Sequence, residues 1–479
     1  MRDKKVGREN VLWMDCEGQG RVKRMNRGGS VRALRRVCAL LSAFVCAFIL
    51  FSAIPVSAHS TIHKAESTHQ FTLEIYGNAN EDDTIDMRDV TYIKLVIFGK
   101  KPETKFCDAN YDGRVSMLDV VQTKLIIVGK EGELTFVDSA GKIKTVRKPI
   151  KRVVTYNTNA LETMRSIKVE KDRIVGVSIY AVQDKIFFPE FSDYPAISGW
   201  PTLDCEKILE LNPEVVIIYG TFFESMYEDA EEKLGPAGIT VIGFDFCRPT
   251  TEVEEIKKLG YIFDKRNEAD EFINFYQGII DTIKERVEDI PEDERPRVYF
   301  EAYEKYHSSG NVKGGYHDYI EMAGGHNIFS DIHGIEFPDV DAEKVIERDP
   351  EIIVKLPWAG GYDVDDVIEL KSIRDEIMNR PELKEVSAVK KGEVYVISSE
   401  ITGSASHVVS IAYMAKWFHP DLFEDLDPEA IHQEYLTRFQ GLDYDLDEHG
   451  VFVYPPIIKG EGKLAGIPDR YYDTVVGQQ

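Results

Sequence analysis

The sequence predicts an α/β protein: two α/β lobes with central sheets, joined by one long α-helix and preceded by a small all-α repeat module. Three observations carry this. Continuous apolar segments alternate with amphipathic ones from residue 133 to 440, the pattern of parallel sheets covered on both faces. One long amphipathic stretch, residues 251–290, divides that alternation into two halves. Upstream, two oxygen-rich loops with similar apolar sequels recur thirty residues apart. A chain of 479 residues holds two or three domains, and an apolar fraction of 43% is that of a globular protein.

Residues 1–58 stand apart from the fold. An uncharged apolar run, "VCALLSAFVCAFILFSAIPVSA", follows Arg32, Arg35 and Arg36 and ends in Val56-Ser57-Ala58. That is the pattern of a signal peptide cleaved after Ala58, so the protein is expected outside the cytoplasm, at the outer face of the membrane. The segment carries eleven basic and four acidic residues, so the chain's net charge of −25 becomes −32 beyond it. Such a charge argues against nucleic acid as a partner. Three cysteines remain, Cys107, Cys205 and Cys247, with no zinc-type spacing.

Residues 70–131 form the repeat module. In "CDANYDGRVSMLD", Asp108, Asn110, Asp112, Ser116 and Asp119 occupy positions 1, 3, 5, 9 and 12 of an EF-hand-type calcium loop, with Gly113 at the turn. "NANEDDTIDMRD" repeats the pattern with Asn78, Asn80, Asp82, Asp86 and Asp89, but Asp83 replaces the turn glycine and predicts strain there. Each loop runs into a similar helix, "DVTYIKLVIFGK" and "DVVQTKLIIVGK". Two calcium ions are the expected cofactors. A loop–helix pair without leading helices resembles a type I dockerin. The resemblance implies a module that folds with calcium, unfolds by itself on chelation, and offers its helices to a cohesin-type protein. The recognition positions depart from the usual Ser/Thr pairs, reading Met87-Arg88 and Met117-Leu118.

The first lobe is expected at 133–250. "LTFVDSAGKIKTVRKPIKRVVTYN" reads as two strands around an Ala-Gly turn and then a buried strand. "ALETMRSI" is helical and "RIVGVSIY" a strand; "DCEKILEL" is helical, "EVVIIYG" a strand; "EDAEEKLGPAG" is helical, "ITVIGFD" a strand. The linking helix takes 251–290. The second lobe, 295–440, repeats the alternation with "RVYFEAY", "GYHDYIEMAGG", "DAEKVIERD", "EIIVKLP" and "GEVYVISSE", closing on the helices "HVVSIAYMAKWFHP" and "DPEAIHQEYLTRFQG". Two such lobes put a cleft at the carboxyl ends of their strands. The tail 441–479 has no assigned role.

Four segments in order, "VDSAGKIKTVRKPIKRVV", "DCEKILELNPEVVIIYG", "MAGGHNIFSDI" and "DAEKVIERDPEIIV", resemble the iron-complex and cobalamin class of ABC-transporter substrate-binding proteins. The resemblance covers about 133–440. It implies capture of a cobalamin, haem or siderophore between the lobes and delivery to a permease and its ATPase. It places permease-docking carboxylates at Glu206 and Glu343. Aromatic cleft positions fall at Trp200, Tyr219 and Phe337, with Tyr180 and Trp358 near the same rim. Arg248 is the candidate for an anionic chelate, and Tyr303 for direct iron ligation with Tyr306 and His307. No catalytic constellation is legible: "GSAS" lacks the second glycine of a nucleophile elbow, and "GNVKGGY" is no Walker loop. A dockerin-bearing secreted enzyme or a surface-assembly protein is the alternative reading.

Overall fold

The computed structural model describes residues 71–477, and Ser67–Gln479 form one compact unit. The signal-peptide expectation falls outside the described residues. Among those described, no helix is long and apolar enough to cross a membrane.

The repeat module contributes α1 (Met87–Ile97) and α2 (Met117–Val128), both started by capping boxes at Asp86 and Ser116. The two loops share the hydrogen bonds of their position-12 carboxylates but differ at position 1, where Asp108 accepts from Asp112 N and Gly113 N while Asn78 Nδ2 donates to Leu73 O and Asp82 O. Asn80 N donates to Asp89 Oδ1 at 3.0 Å and Asn110 N to Asp119 Oδ1 at 3.1 Å. Asp86 N donates to Asp89 Oδ2 at 2.8 Å and Ser116 N to Asp119 Oδ2 at 2.7 Å. The strain expected at Asp83 is absent: Gly113 takes φ +89°, whereas Asp83 stays out of the left-handed region. Instead its carbonyl and carboxylate accept from Lys257 Nζ at 3.0 and 3.1 Å.

A hairpin follows, β1 (Glu133–Val137) and β2 (Ile143–Arg147). Its turn is pinned by Asp138, which accepts from Lys142 N at 2.9 Å, Gly243 N at 3.0 Å and Tyr227 Oη at 2.5 Å. Lobe one then alternates β3 (Val153–Thr155), α3 (Thr158–Ser166), β4 (Ile174–Val177), α4 (Ile179–Gln183), α5 (Cys205–Leu211), β5 (Val215–Ile218), α6 (Glu224–Leu234) and β6 (Thr240–Gly243). Its sheet is parallel, ordered β4-β3-β5-β6. Every residue of β3 and β5 is buried, as expected for strands covered on both faces.

The single linking helix is corrected to two: α7 (Glu252–Ile262) and α8 (Arg266–Val287). The break is at Asp264, whose φ is +60°, and Lys265 N returns to Gly260 O at 2.8 Å. Gly260 lets the start of α8 close on α7, since a Cβ there would sit 2.7 Å from Ala269 Cβ.

Lobe two runs β7 (Arg297–Ala302), α9 (Tyr316–Met322), β8 (His326–Asn327), α10 (Ala342–Arg348), β9 (Ile352–Leu356), α11 (Ile368–Met378), α12 (Ser387–Lys391), β10 (Val394–Ile397) and α13 (His407–Phe418). The chain then turns back with α14 (Pro428–Glu434) and a π-helical turn, Tyr435–Gln440. The tail is part of the lobe. Strand β11 (Val453–Tyr454) pairs antiparallel with β10, completing the order β11-β10-β9-β7-β8. The hairpin β12 (Ile457–Gly460) and β13 (Lys463–Ala465) and the short α15 (Tyr472–Val476) finish the chain.

One apolar core runs through the linking helices. Phe244, Phe272, Phe300 and Tyr435 all belong to it, and so do Leu73, Ile75, Ile85 and Ile126 of the module. Burying each such side chain stabilises the fold by roughly 1.5–3 kcal/mol. The module is therefore packed against lobe one: Tyr76 N donates to Thr135 O at 2.9 Å, and Arg266 Nη1 donates to Ile126 O and Ile127 O at 2.7 and 3.2 Å.

Candidate functional site

Parallel strands direct their carboxyl ends toward the meeting of the lobes, and the sequence-identified aromatics follow those ends. Tyr219 comes directly after β5, Tyr303 directly after β7, and Trp358 two residues after β9. Tyr180 lies in α4, just beyond β4.

On lobe one, Tyr180 Oη donates to Trp200 O at 3.3 Å, and the Trp200 ring lies 6.2 Å from Phe223. Phe223 and Phe222 each stand edge-on to Tyr219 at 5.7 Å. On lobe two, Trp358 stacks on Tyr303 at 4.1 Å and 15°. Tyr303 lies 5.6 Å from Phe337, and Phe337 lies 5.9 Å from Tyr316. Trp200 is 57% exposed and Trp358 75%, an unusual state for side chains that gain so much from burial. Backbone strain gathers here as well: Ser198, Phe246 and Tyr303 have φ of +122°, +49° and +55°.

Sequence reasoning missed Phe222, Phe223 and Tyr316. The run "YGTFFES" carries the signal for the first two, because residues within a few positions of a strand's carboxyl end face the cleft.

Between the walls lies Arg248. Its guanidinium is 4.4 Å from the Phe222 ring, its Nη1 donates to Lys313 O at 3.1 Å, and its Nη2 lies 4.0 Å from Glu336 Oε2. Below it, the buried Asp245 accepts from Gly220 N, Thr221 N and Thr221 Oγ1 at 2.8, 3.1 and 2.6 Å. That carboxylate fixes the loop carrying the Phe pair. Glu255 on α7 accepts in turn from Asp245 N at 3.2 Å and Phe246 N at 2.7 Å, and burial together with Asp245 pushes its pKa up. Neither carboxylate oxygen of the buried Glu252 has a hydrogen-bond partner. Burial, then Glu255, Glu162 and Asp245, hold it well above the usual carboxylate range. A second acidic group joins the lobes: burial, then Asp184, Glu162 and Asp363, push Glu400 to about 7.

The other sequence-identified residues are placed as follows. Tyr306 Oη donates to Glu382 at 2.7 Å, and His307 pairs with Asp339 at 2.7 Å. Glu206 and Glu343 are exposed in the first turns of α5 and α10, one on each lobe. Cys205 and Cys247 are unpaired. In the module, Asn78 and the position-12 residues Asp89 and Asp119 are buried, with Asn80, Asp82, Asp86, Asp108, Asn110 and Ser116 half-buried and Asp112 exposed. Among the described residues, no three His, Cys, Asp or Glu side chains are gathered closely enough to hold a metal ion. Asn78 Oδ1, however, is buried with no hydrogen-bond partner.

A model of the periplasmic binding protein family matches residues 153–401. The cobalamin-binding protein of Halobacterium salinarum is 28% identical over 223 residues, 45% of this chain and 57% of that one. A vitamin B12-binding protein of Yersinia pseudotuberculosis is 23% identical over 190 residues, 38% of this chain and 61% of that one. The chain thus spans less than two thirds of the length of these curated relatives. Among solved structures, the TroA-like periplasmic binding protein FepB from Veillonella parvula superposes with a TM-score of 0.56 at 24% identity, covering 67% of this chain and 98% of that one. Helicobacter pylori CeuE with Ni(II) bound gives 0.51 at 19%, covering 64% and 96%. At those identities the likeness shows the two-lobe fold.

Proposed function

Because this chain belongs to the periplasmic binding protein family, we propose that it is the exported receptor of an ABC importer for a flat, bulky metal complex, a corrinoid first and an iron chelate second. The observation that carries the reading is the pair of aromatic walls, Trp200 with Tyr219 and Tyr180 on lobe one, Trp358 with Tyr303 and Phe337 on lobe two. Flat rings offer a macrocycle a large contact area without demanding charge. The curated relatives' cobalamin and vitamin B12 names favour the corrinoid. The family is one of solute-binding proteins, and the enzyme reading gives way to it. Glu206 and Glu343, rigidly held on separate lobes, would report the receptor to arginines of a permease coupled to its ATPase.

Residues 70–131 are proposed as a dockerin-like calcium module. The two loops hold Asp89 and Asp119 through the same pair of backbone hydrogen bonds, and the orphaned Asn78 Oδ1 is an oxygen that a cation would satisfy. Calcium would relieve the like charges of Asp82 and Asp86 that act on Asp89. Met87, Met117, Leu118 and Val121 are exposed on the two helices and would form the apolar face for a cohesin-type partner.

The test is spectroscopic. Protein purified from its source should carry corrin absorption, and added cobalamin should quench tryptophan fluorescence. Trp358→Ala and Trp200→Ala each remove stacking worth roughly 1–3 kcal/mol. Each should weaken binding about tenfold to a hundredfold. Unchanged affinity in both variants, for corrinoid, haem and ferric chelate alike, would overturn the aromatic-cleft reading.

A further inference from the structure

We propose that Arg248 is withheld from the solute, and that the cleft consequently rejects ligands carrying net negative charge. The inference rests on the reading of this cleft as the solute site.

Arg248 leaves lobe one just beyond β6 and reaches lobe two. Its stem lies on the backbone of Gly314, where an added Cβ would come within 2.8–3.0 Å of Arg248 Cβ, Cγ and Cδ. Gly314 also has φ +79°, so the crossing is built for a residue without a side chain. The guanidinium is held by one hydrogen bond, one ring and two nearby carboxylates, and its Nε is buried without a hydrogen-bond partner. One face rests on Phe222, Nη1 donates to Lys313 O, Nη2 faces Glu336, and the buried Nε faces Asp245 Oδ2 at 3.9 Å. Only 13% of the side chain is exposed. Asp245 comes from lobe one and Glu336 from lobe two, so the cation acts as a strut between the lobes.

An anionic chelate needs a cation to replace its lost water. Here the arginine on the aromatic wall already faces two carboxylates. Drawing it toward a ligand would leave Asp245, whose side chain is 1% exposed, without its neighbouring cation. A ring fringed by amides, or a complex with positive charge, meets no such penalty.

The experiment uses one scaffold at several charges. The full chain is titrated, by tryptophan quenching, with cationic aquacobalamin, neutral cyanocobalamin and a corrinoid whose peripheral amides are hydrolysed to carboxylates. A ferric tricatecholate completes the panel. The carboxylated corrinoid is expected to bind at least tenfold more weakly than the neutral one, and the tricatecholate not to bind. In Glu336→Gln, one carboxylate leaves the guanidinium, and the ratio of carboxylated to neutral affinity should rise about tenfold. The wild-type series stands as a test even where that variant folds poorly. Equal affinity for neutral and carboxylated corrinoids, or tight binding of the tricatecholate, overturns the charge inference and leaves the solute reading standing. Binding of none of the panel overturns the solute reading and this inference with it.

Discussion

At the scale of residues, lobe two is organised around one buried carboxylate. Glu301 is fully buried and is held by Arg380 through both Nη atoms at 2.7 and 2.8 Å, by Lys355 at 3.1 Å, by Tyr299 Oη at 3.1 Å and by Tyr306 N at 3.0 Å. Burial alone would raise its pKa, but Arg380 and Lys355 bring it below the ordinary value. Arg380→Ala leaves that charge to Lys355 alone, removes two charged hydrogen bonds, and should destabilise the protein by about 3–5 kcal/mol, read by urea denaturation. This network also explains Tyr306, whose sequence position invites an iron-binding role and whose hydroxyl instead serves Glu382. Glu400 gives the opposite pH behaviour. With its pKa raised to about 7, its stabilising contribution is fully present below about pH 4.5 and is lost as pH rises through about 7. Glu400→Gln should therefore flatten the fall in melting temperature between about pH 5 and pH 8. A pH profile identical to the wild type would contradict that assignment. Tyr219, Tyr303 and Trp358 were legible because they follow strand ends in the sequence, whereas Trp200 and Phe337 were placed by the resemblance alone. The acids were not, since Asp184, Glu162, Asp363 and Glu400 meet only through the fold.

At the scale of elements, α7 joins the module to the cleft. One part of it holds the first calcium-type loop through Lys257 and Asp83, and another holds the Phe pair's loop through Glu255 and Asp245. The sequence shows a module with its own repeat, and its natural expectation is independent unfolding on chelation. The shared core alters the expected outcome. Removal of calcium should lower the temperature of a single transition that includes lobe one, seen by calorimetry with and without chelator. Two separate transitions would show the shared core to be energetically minor. Arg266→Ala, which removes charged hydrogen bonds to the last carbonyls of α2, should destabilise the protein by roughly 1.5–3 kcal/mol and lower the temperature of the same transition. The break between α7 and α8 escaped the sequence because helical periodicity continues across it. Asp264, in its left-handed conformation, carries no glycine-like signal.

At the scale of the molecule, each lobe carries one of the two candidate docking carboxylates, Glu206 and Glu343, exposed on the first turn of a short helix. Reversing both to arginine should abolish uptake through the cognate permease while soluble affinity for cobalamin changes less than about twofold, since neither side chain enters the cleft. Transport assays on the double variant, beside fluorescence titration, separate the two effects. Equal loss in both assays would place these residues in the solute site instead. The two-lobe plan was legible from the alternation of strand and helix alone. The tail was not: β11 is two residues long, too short for periodicity, and only its pairing with β10 reveals it.

The way the chain returns at its end also sets an order of assembly. Tyr435 donates to Glu162 of α3, Gln440 accepts from Arg165 Nε at 2.6 Å, and Phe439 lies 5.0 Å from Phe272, all on lobe one and its linker. A dozen residues later, β11 seals the edge of lobe two. Both lobes are therefore completed by residues 435–454. A nascent chain stopped before residue 435 would leave a bare apolar groove on one lobe and an open strand edge on the other. A chain ending at residue 434 should therefore be cut by proteases faster than one that includes Tyr435–Gln440 and β11, which limited proteolysis would show.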